Sequence, residues 1–168
     1  IDGLNISSTD NIELKEILDN IDKAKFDEKI SGIYLHLSDL KSGMSSVEEI
    51  RNKLLDFKSA GKFIYSYSEV YSQLSYYLSS VSDSVFLNPK GMVEFNGLSA
   101  GVVFYKDLLE KIGLDIQVIR HGKFKSAVEP YMYNGMSNEN REQLEKMLNS
   151  ISKVINEGVS QQRNISIK

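Results

Sequence analysis

Residues 30–67 read ISGIYLHLSDLKSGMSSVEEIRNKLLDFKSAGKFIYSY, and the order of signals in this stretch decides the fold class. Ile30 to Leu37 is rich in β-branched and aromatic residues and predicts a buried strand. Ser38 to Gly43 predicts a loop. Ser46 and Glu49 have the spacing of a capping box, followed by a helix lined by Val47, Ile50, Leu54 and Phe57 that Gly61 can end. Lys62 to Tyr67 predicts the next strand. Strand, helix and strand in succession imply a right-handed crossover and parallel pairing under a helical layer.

The same alternation extends outward in both directions. Towards the N-terminus, Leu14, Ile17, Leu18 and Ile21 share one face of a helix over residues 10–25, with Asp10 and Glu13 placed as cap and partner. Towards the C-terminus, Val70, Leu74, Tyr77, Leu78 and Val81 have helical spacing. Ser84 to Leu87 predicts a short strand, Asn88-Pro89-Lys90-Gly91 a turn, and Met92 to Phe95 a second strand beyond it. A helix is expected from about Ala100, with Val103, Leu108, Leu109 and Ile112 on its apolar side and Gly113 as its stop. Ile116 to Ile119 predicts another strand. Ser137 can cap a long final helix striped by Leu144, Met147, Leu148, Ile151, Val154 and Ile155 and ending near Gly158. That stripe suits core packing first and contacts between protomers second. The fold class is α/β, and the paired strands around Asn88 to Gly91 point to strand-strand-helix units. A single domain over residues 1–168 is expected, since no linker composition divides the chain.

Composition narrows the function classes. The chain has 168 residues, 41% hydrophobic and 26% charged, with a net charge of −3. That length can bury a sizeable core, and that charge gives no field to gather phosphates, so nucleic acid is not the expected partner. No cysteine is present, which removes thiol nucleophiles and disulfides. The two histidines, His36 and His121, lack neighbouring ligands at metal spacing, so no metal is assigned. Neither GxGxxG nor GxxxxGK[ST] occurs, and no cofactor is expected. No apolar run reaches the roughly 18 residues a membrane span needs. A Ser-His-Asp set drawn from either histidine with Asp39 or Asp83 would be arbitrary without a GxSxG elbow.

One segment carries chemistry. Gly122 to Pro130 (GKFKSAVEP) places Lys123 and Lys125 beside Phe124, Ala127 and Val128. Apolar surroundings favour the neutral, basic form of an ammonium group, whereas on an open loop both lysines are merely solvated charges.

Three segments resemble a known family: YSQLSYYLSSVSDSVFLNPKG (Tyr71 to Gly91), FNGLSAGVVFYKDLLEKIGLDIQVIRHGKFKSAVEPY (Phe95 to Tyr131) and NGMSNENRE (Asn134 to Glu142). They are similar to the amino-terminal domain of the long, tandem-repeat signal peptide peptidases (SppA, protease IV). The resemblance implies a ClpP/crotonase-like coil of strand-strand-helix units. It also implies that this chain is the amino-terminal half of a larger Ser/Lys endopeptidase in which Lys125, the lysine of KSAVEP, is the general base and Lys123 a solvated flank. The family's nucleophile lies in an ASGGYY-like stretch, and aligning its tyrosines with Tyr76 and Tyr77 places Gln73 at the serine position. Ser68 and Glu69 stand where the family has its oxyanion-hole glycines, so Ser66, Ser72 and Ser75 are not nucleophile candidates. The partners so implied are a carboxy-terminal repeat of the same polypeptide carrying the serine, further copies in a homo-oligomer, and signal-peptide fragments as substrate. A segment outside this chain would anchor the protein to the bacterial inner membrane, with this domain on the periplasmic side. Two other readings stay open: a non-catalytic domain of the same fold serving oligomerisation, and an acyl-CoA enzyme of the crotonase type, for which the residues offer no support.

Overall fold

Three parallel strands, β1 (Gly32–His36), β2 (Phe63–Tyr71) and β3 (Ser84–Val93), form one sheet in the order β1-β2-β3. The structure, a computed structural model, describes residues 12–119 and 125–167. These fall into two units, residues 12–96 with 158–167, and residues 97–157.

In the first unit, α1 (Leu14–Phe26) and α2 (Met44–Ser59) lie side by side. Two ion pairs join them, Lys25 to Asp56 and Lys53 to Asp22, each at 2.7 Å. Lys62 Nζ donates to the carbonyls of Ala24 and Asp27, at 2.6 and 2.7 Å, covering the end of α1 where carbonyls lack helical partners. Val47, Leu54 and Phe57 of α2 and Ile64 of β2 are buried. Each such side chain contributes about 1.5–3 kcal/mol through removal from water. The opposite sheet face carries a partly exposed aromatic ladder of Tyr34, His36, Phe63, Tyr65, Tyr67 and Phe86. Gly61, with φ of +79°, follows α2 in the left-handed conformation that ends a helix.

Several local expectations are corrected. Glu13 is itself the N-cap of α1 and makes no side-chain cap bond; Asp10, the expected cap, lies outside the described residues. Gly43, not Ser46, caps α2; its carbonyl already accepts the first helical bond from Val47, leaving Ser46 inside the first turn. β2 continues to Tyr71 where a helix was expected from Val70, because Val70 and Tyr71 pair with Met92 and Val93. α3 (Gln73–Ser79) is correspondingly short.

The Asn88 to Gly91 turn does not fold a hairpin. Leu87 pairs with Ser68 and Met92 with Val70, so both flanks of the turn run along the same edge of β2 and the extra residues bulge out. Asn88 holds the bulge, accepting from Lys90 N at 2.9 Å and donating to the Tyr67 hydroxyl at 3.0 Å. A Cβ on Gly91 would lie 2.0 Å from the Glu69 carbonyl oxygen, so only glycine fits there.

The second unit contains α4 (Lys106–Lys111), α5 (Glu129–Met132) and most of α6 (Asn138–Arg163). α4 starts six residues later than the expected helix at Ala100, and Ile116 to Ile119 pairs with no strand among the described residues. Strand-forming composition needs a ladder partner, which a local pattern cannot provide. α6 runs past Gly158 to Arg163.

Candidate functional site

The segment KSAVEP is a compact turn. Lys125 precedes a 3₁₀ turn (Ser126–Val128) that leads directly into α5. The Glu129 N–H donates to the Ser126 carbonyl and the Tyr133 N–H to the Glu129 carbonyl, closing both turns. Pro130, which has no N–H to lose, accepts from Tyr105 N at 2.7 Å, and Tyr105 stacks on Tyr131 at 5.9 Å between ring centroids.

Below the turn lies the carboxylate of Glu129, 1% exposed. It accepts from Ser137 Oγ at 2.6 Å, Ser137 N at 3.3 Å and Asn140 Nδ2 at 2.9 Å. Ser137 Oγ in turn accepts from Asn140 N at 3.1 Å. The expected cap of the long helix is therefore present, and it also carries a buried anion at the helix start, where unpaired N–H groups and the helix dipole favour negative charge. Lys125 itself is exposed on this braced turn. Lys123, Phe124 and His121 lie outside the described residues.

Gln73 belongs to the first unit, as the first residue of α3 behind the N-cap Ser72. It is half-buried and carries an amide that cannot be deprotonated to a nucleophile. The surrounding serines are engaged in structure. Ser72 Oγ accepts from Ser75 N at 3.3 Å, and Ser75 Oγ donates to the Ser72 carbonyl at 3.1 Å. Ser68 Oγ donates to the Val70 carbonyl at 2.7 Å, closing the bulge. Ser66 is fully buried beneath Tyr71. Burial raises the pKa of the Tyr71 phenol and keeps it neutral, donating to the Phe86 carbonyl at 3.1 Å.

At the carboxyl ends of β1 and β2, where open α/β sheets place ligands, is a cavity of about 220 Å³. His36, Leu37, Ser38, Asp39, Ser68, Glu69 and Val70 line it. Ser68 and Glu69 are part of its wall, Ser68 buried and Glu69 exposed. His36 is exposed and packs on Tyr67 at 5.5 Å, as a rim residue. Among the described residues no group of three or more His, Asp or Glu side chains is placed to hold a metal ion.

The turn bearing Lys125 and the long helix behind it lie in the region that matches the model of peptidase family S49, residues 56–168. The chain belongs to peptidase family S49. Its parallel sheet and long final helix agree with the ClpP/crotonase-like architecture of that family. This S49 chain is similar to the chloroplastic serine protease SPPA of Arabidopsis thaliana, with 36% identity over 149 residues, 89% of the chain and 22% of that protein. It is also similar to Protease 4 of Haemophilus influenzae, at 35% over 146 residues, 86% of the chain and 24% of that protein. Protease 4 of Salmonella typhi is 37% identical over 130 residues, 77% of the chain and 21% of that protein. The chain therefore spans under a quarter of the length of these relatives.

The resemblance nominated Lys125 and Gln73 as site positions. It missed what holds Lys125, namely Glu129 with Ser137 and Asn140. Ser137 was legible as a cap, but the carboxylate it serves comes from eight residues upstream on another element.

Proposed function

We propose that this chain supplies Lys125 as the general base of a Ser/Lys peptidase whose nucleophilic serine and oxyanion hole lie on a further repeat of the full-length polypeptide. The observation that carries this reading is the pairing of opposites within one S49 chain: a lysine on a turn closed by backbone hydrogen bonds, and a glutamine at the start of α3 where the resemblance places the nucleophile. The exposure of Lys125 suits half of a divided site, whose apolar cover comes from the partner repeat.

In the proposed reaction the neutral Nζ of Lys125 takes the proton from the serine hydroxyl as Oγ attacks the scissile carbonyl. The resulting ammonium returns that proton to the departing amine as the tetrahedral intermediate collapses to an acyl-enzyme. Water, deprotonated by the same amine, completes hydrolysis. The substrates proposed are cleaved signal peptides, met at a membrane to which a segment outside this chain would attach the enzyme. Within the described residues no helix is long and apolar enough to cross a membrane.

The test is peptide hydrolysis by the full-length protein with Lys125 intact and with Lys125→Ala. Loss of kcat on the order of 10²–10⁴-fold is expected for removal of a general base. Unchanged turnover in the variant would leave Lys125 as a surface charge on a structural domain.

A further inference from the structure

We propose that Glu129 is a positioning residue for the base: it holds the turn carrying Lys125 against the start of α6 without itself touching substrate. The inference rests on the reading of Lys125 as general base.

Glu129 has two kinds of tie. Its backbone closes the 3₁₀ turn that begins immediately after Lys125, through its N–H to Ser126, and opens α5, through its carbonyl to Tyr133. Its side chain reaches the first turn of α6, taking bonds from Ser137 Oγ, Ser137 N and Asn140 Nδ2. α6 is 26 residues long, so the carboxylate couples a short turn, which has little stability of its own, to the first turn of the longest helix among the described residues. Lys125 forms no hydrogen bond or ion pair among the described residues, and its placement depends on this backbone.

Burying a carboxylate is costly even when it is satisfied, and an apolar side chain of similar volume is often at least as stabilising. A charge kept at such a point yields direction instead. Its donors have fixed positions, so the turn has one seating on α6 where an apolar plug would tolerate several. A general base needs that precision, because a displacement of about 1 Å from the proton it removes costs on the order of 100-fold in rate.

The experiment is a double-mutant cycle in the full-length peptidase, with kcat and KM measured on one peptide substrate for wild type, Glu129→Gln, Lys125→Ala and the double variant. Glu129→Gln keeps the size but removes the charge, and is expected to lower kcat on the order of 10–100-fold with KM within about twofold. In the Lys125→Ala background the same substitution should cost nothing further, since there is no base left to position. Ser137→Ala removes the 2.6 Å donor but keeps the bonds from Ser137 N and Asn140 Nδ2; it should show a smaller loss with the same dependence on Lys125. Should Glu129→Gln fail to fold, the cycle is run with Ser137→Ala. An equal loss in both backgrounds would assign Glu129 to general stability and overturn the proposal, as would kcat within twofold of wild type. If Lys125→Ala alone left turnover intact, the reading of the base would fall first, and this inference with it.

Discussion

Gly158 lies inside α6, where intrinsic helix propensity favours alanine over glycine by about 1 kcal/mol. A Cβ there would stand 2.5 Å from Tyr77 Cε2 and 3.2 Å from Arg51 Nη2. Arg51 is buried, donates to the Gly158 carbonyl at 2.6 Å and to Ser80 Oγ at 3.2 Å, and lies 4.6 Å from the centre of the Tyr77 ring. Burial holds its guanidinium pKa below the ordinary arginine value. The ring and the guanidinium are both enclosed, so neither can yield. Gly158→Ala is expected to destabilise by about 1–3 kcal/mol, the usual cost of overpacking, in urea unfolding. A gain in stability would mean that propensity outweighs packing at this site. The glycine was readable in the sequence only as a helix stop, because the side chains that require it come from α2 and α3.

Among the elements, β3 shows how much one acidic residue contributes to register. Asp83, just before the strand, accepts from Ile64 N at 2.8 Å, returns its own N–H to the Ile64 carbonyl at 2.8 Å, and pairs with Lys58 at 2.9 Å. Burial works against ionisation of this carboxyl, but the bonds from Ile64 and Lys58 outweigh it and hold its pKa below the ordinary aspartate value of 3.8. A lowered folded-state pKa gives stabilisation that is present above pH 3.8 and is lost as pH falls through the folded value. The side chain is 41% exposed, so solvent screening limits the effect to about 1 kcal/mol or less. The stability difference between wild type and Asp83→Asn should therefore be constant from about pH 5 to 7 and close below the aspartate range. A difference that persisted at about pH 2.5 would assign the effect to packing rather than charge. Gly91 offers a companion test. Gly91→Ala must displace the Glu69 carbonyl, and the lost ladder should appear as faster amide exchange at Val70 and Tyr71 relative to Ile64. These elements also mark where local patterns fail. Val70 and Tyr71 were read as helix, and become strand because Met92 and Val93, more than twenty residues on, supply the ladder.

At the scale of the whole molecule, the chain carries one half of the proposed chemistry. Alone, the 168-residue chain is expected to hydrolyse no peptide on the proposed reading, in which Gln73 stands at the nucleophile position and the neighbouring Ser66, Ser68, Ser72 and Ser75 are tied into cap, bulge and core. Turnover that disappeared with Lys125→Ala would place a working serine within the chain and overturn that expectation. Along the stripe of α6, Ile155 and Val159 are buried, while Met147 and Val154 remain 49% and 37% exposed. By itself the sequence determined the α/β class, the succession of β1, α2 and β2 and the cap at Ser137, and its family resemblance nominated Lys125 as the candidate base. These follow from period, capping chemistry and motif, all of which act between near neighbours. Only the tertiary structure decided that Asn88 to Gly91 is a bulge within one strand, that Ile116 to Ile119 pairs with no described strand, and that Glu129 binds the lysine turn to α6. Ladder pairing and the burial of a charge depend on groups distant along the chain, and no local pattern records which of them will meet.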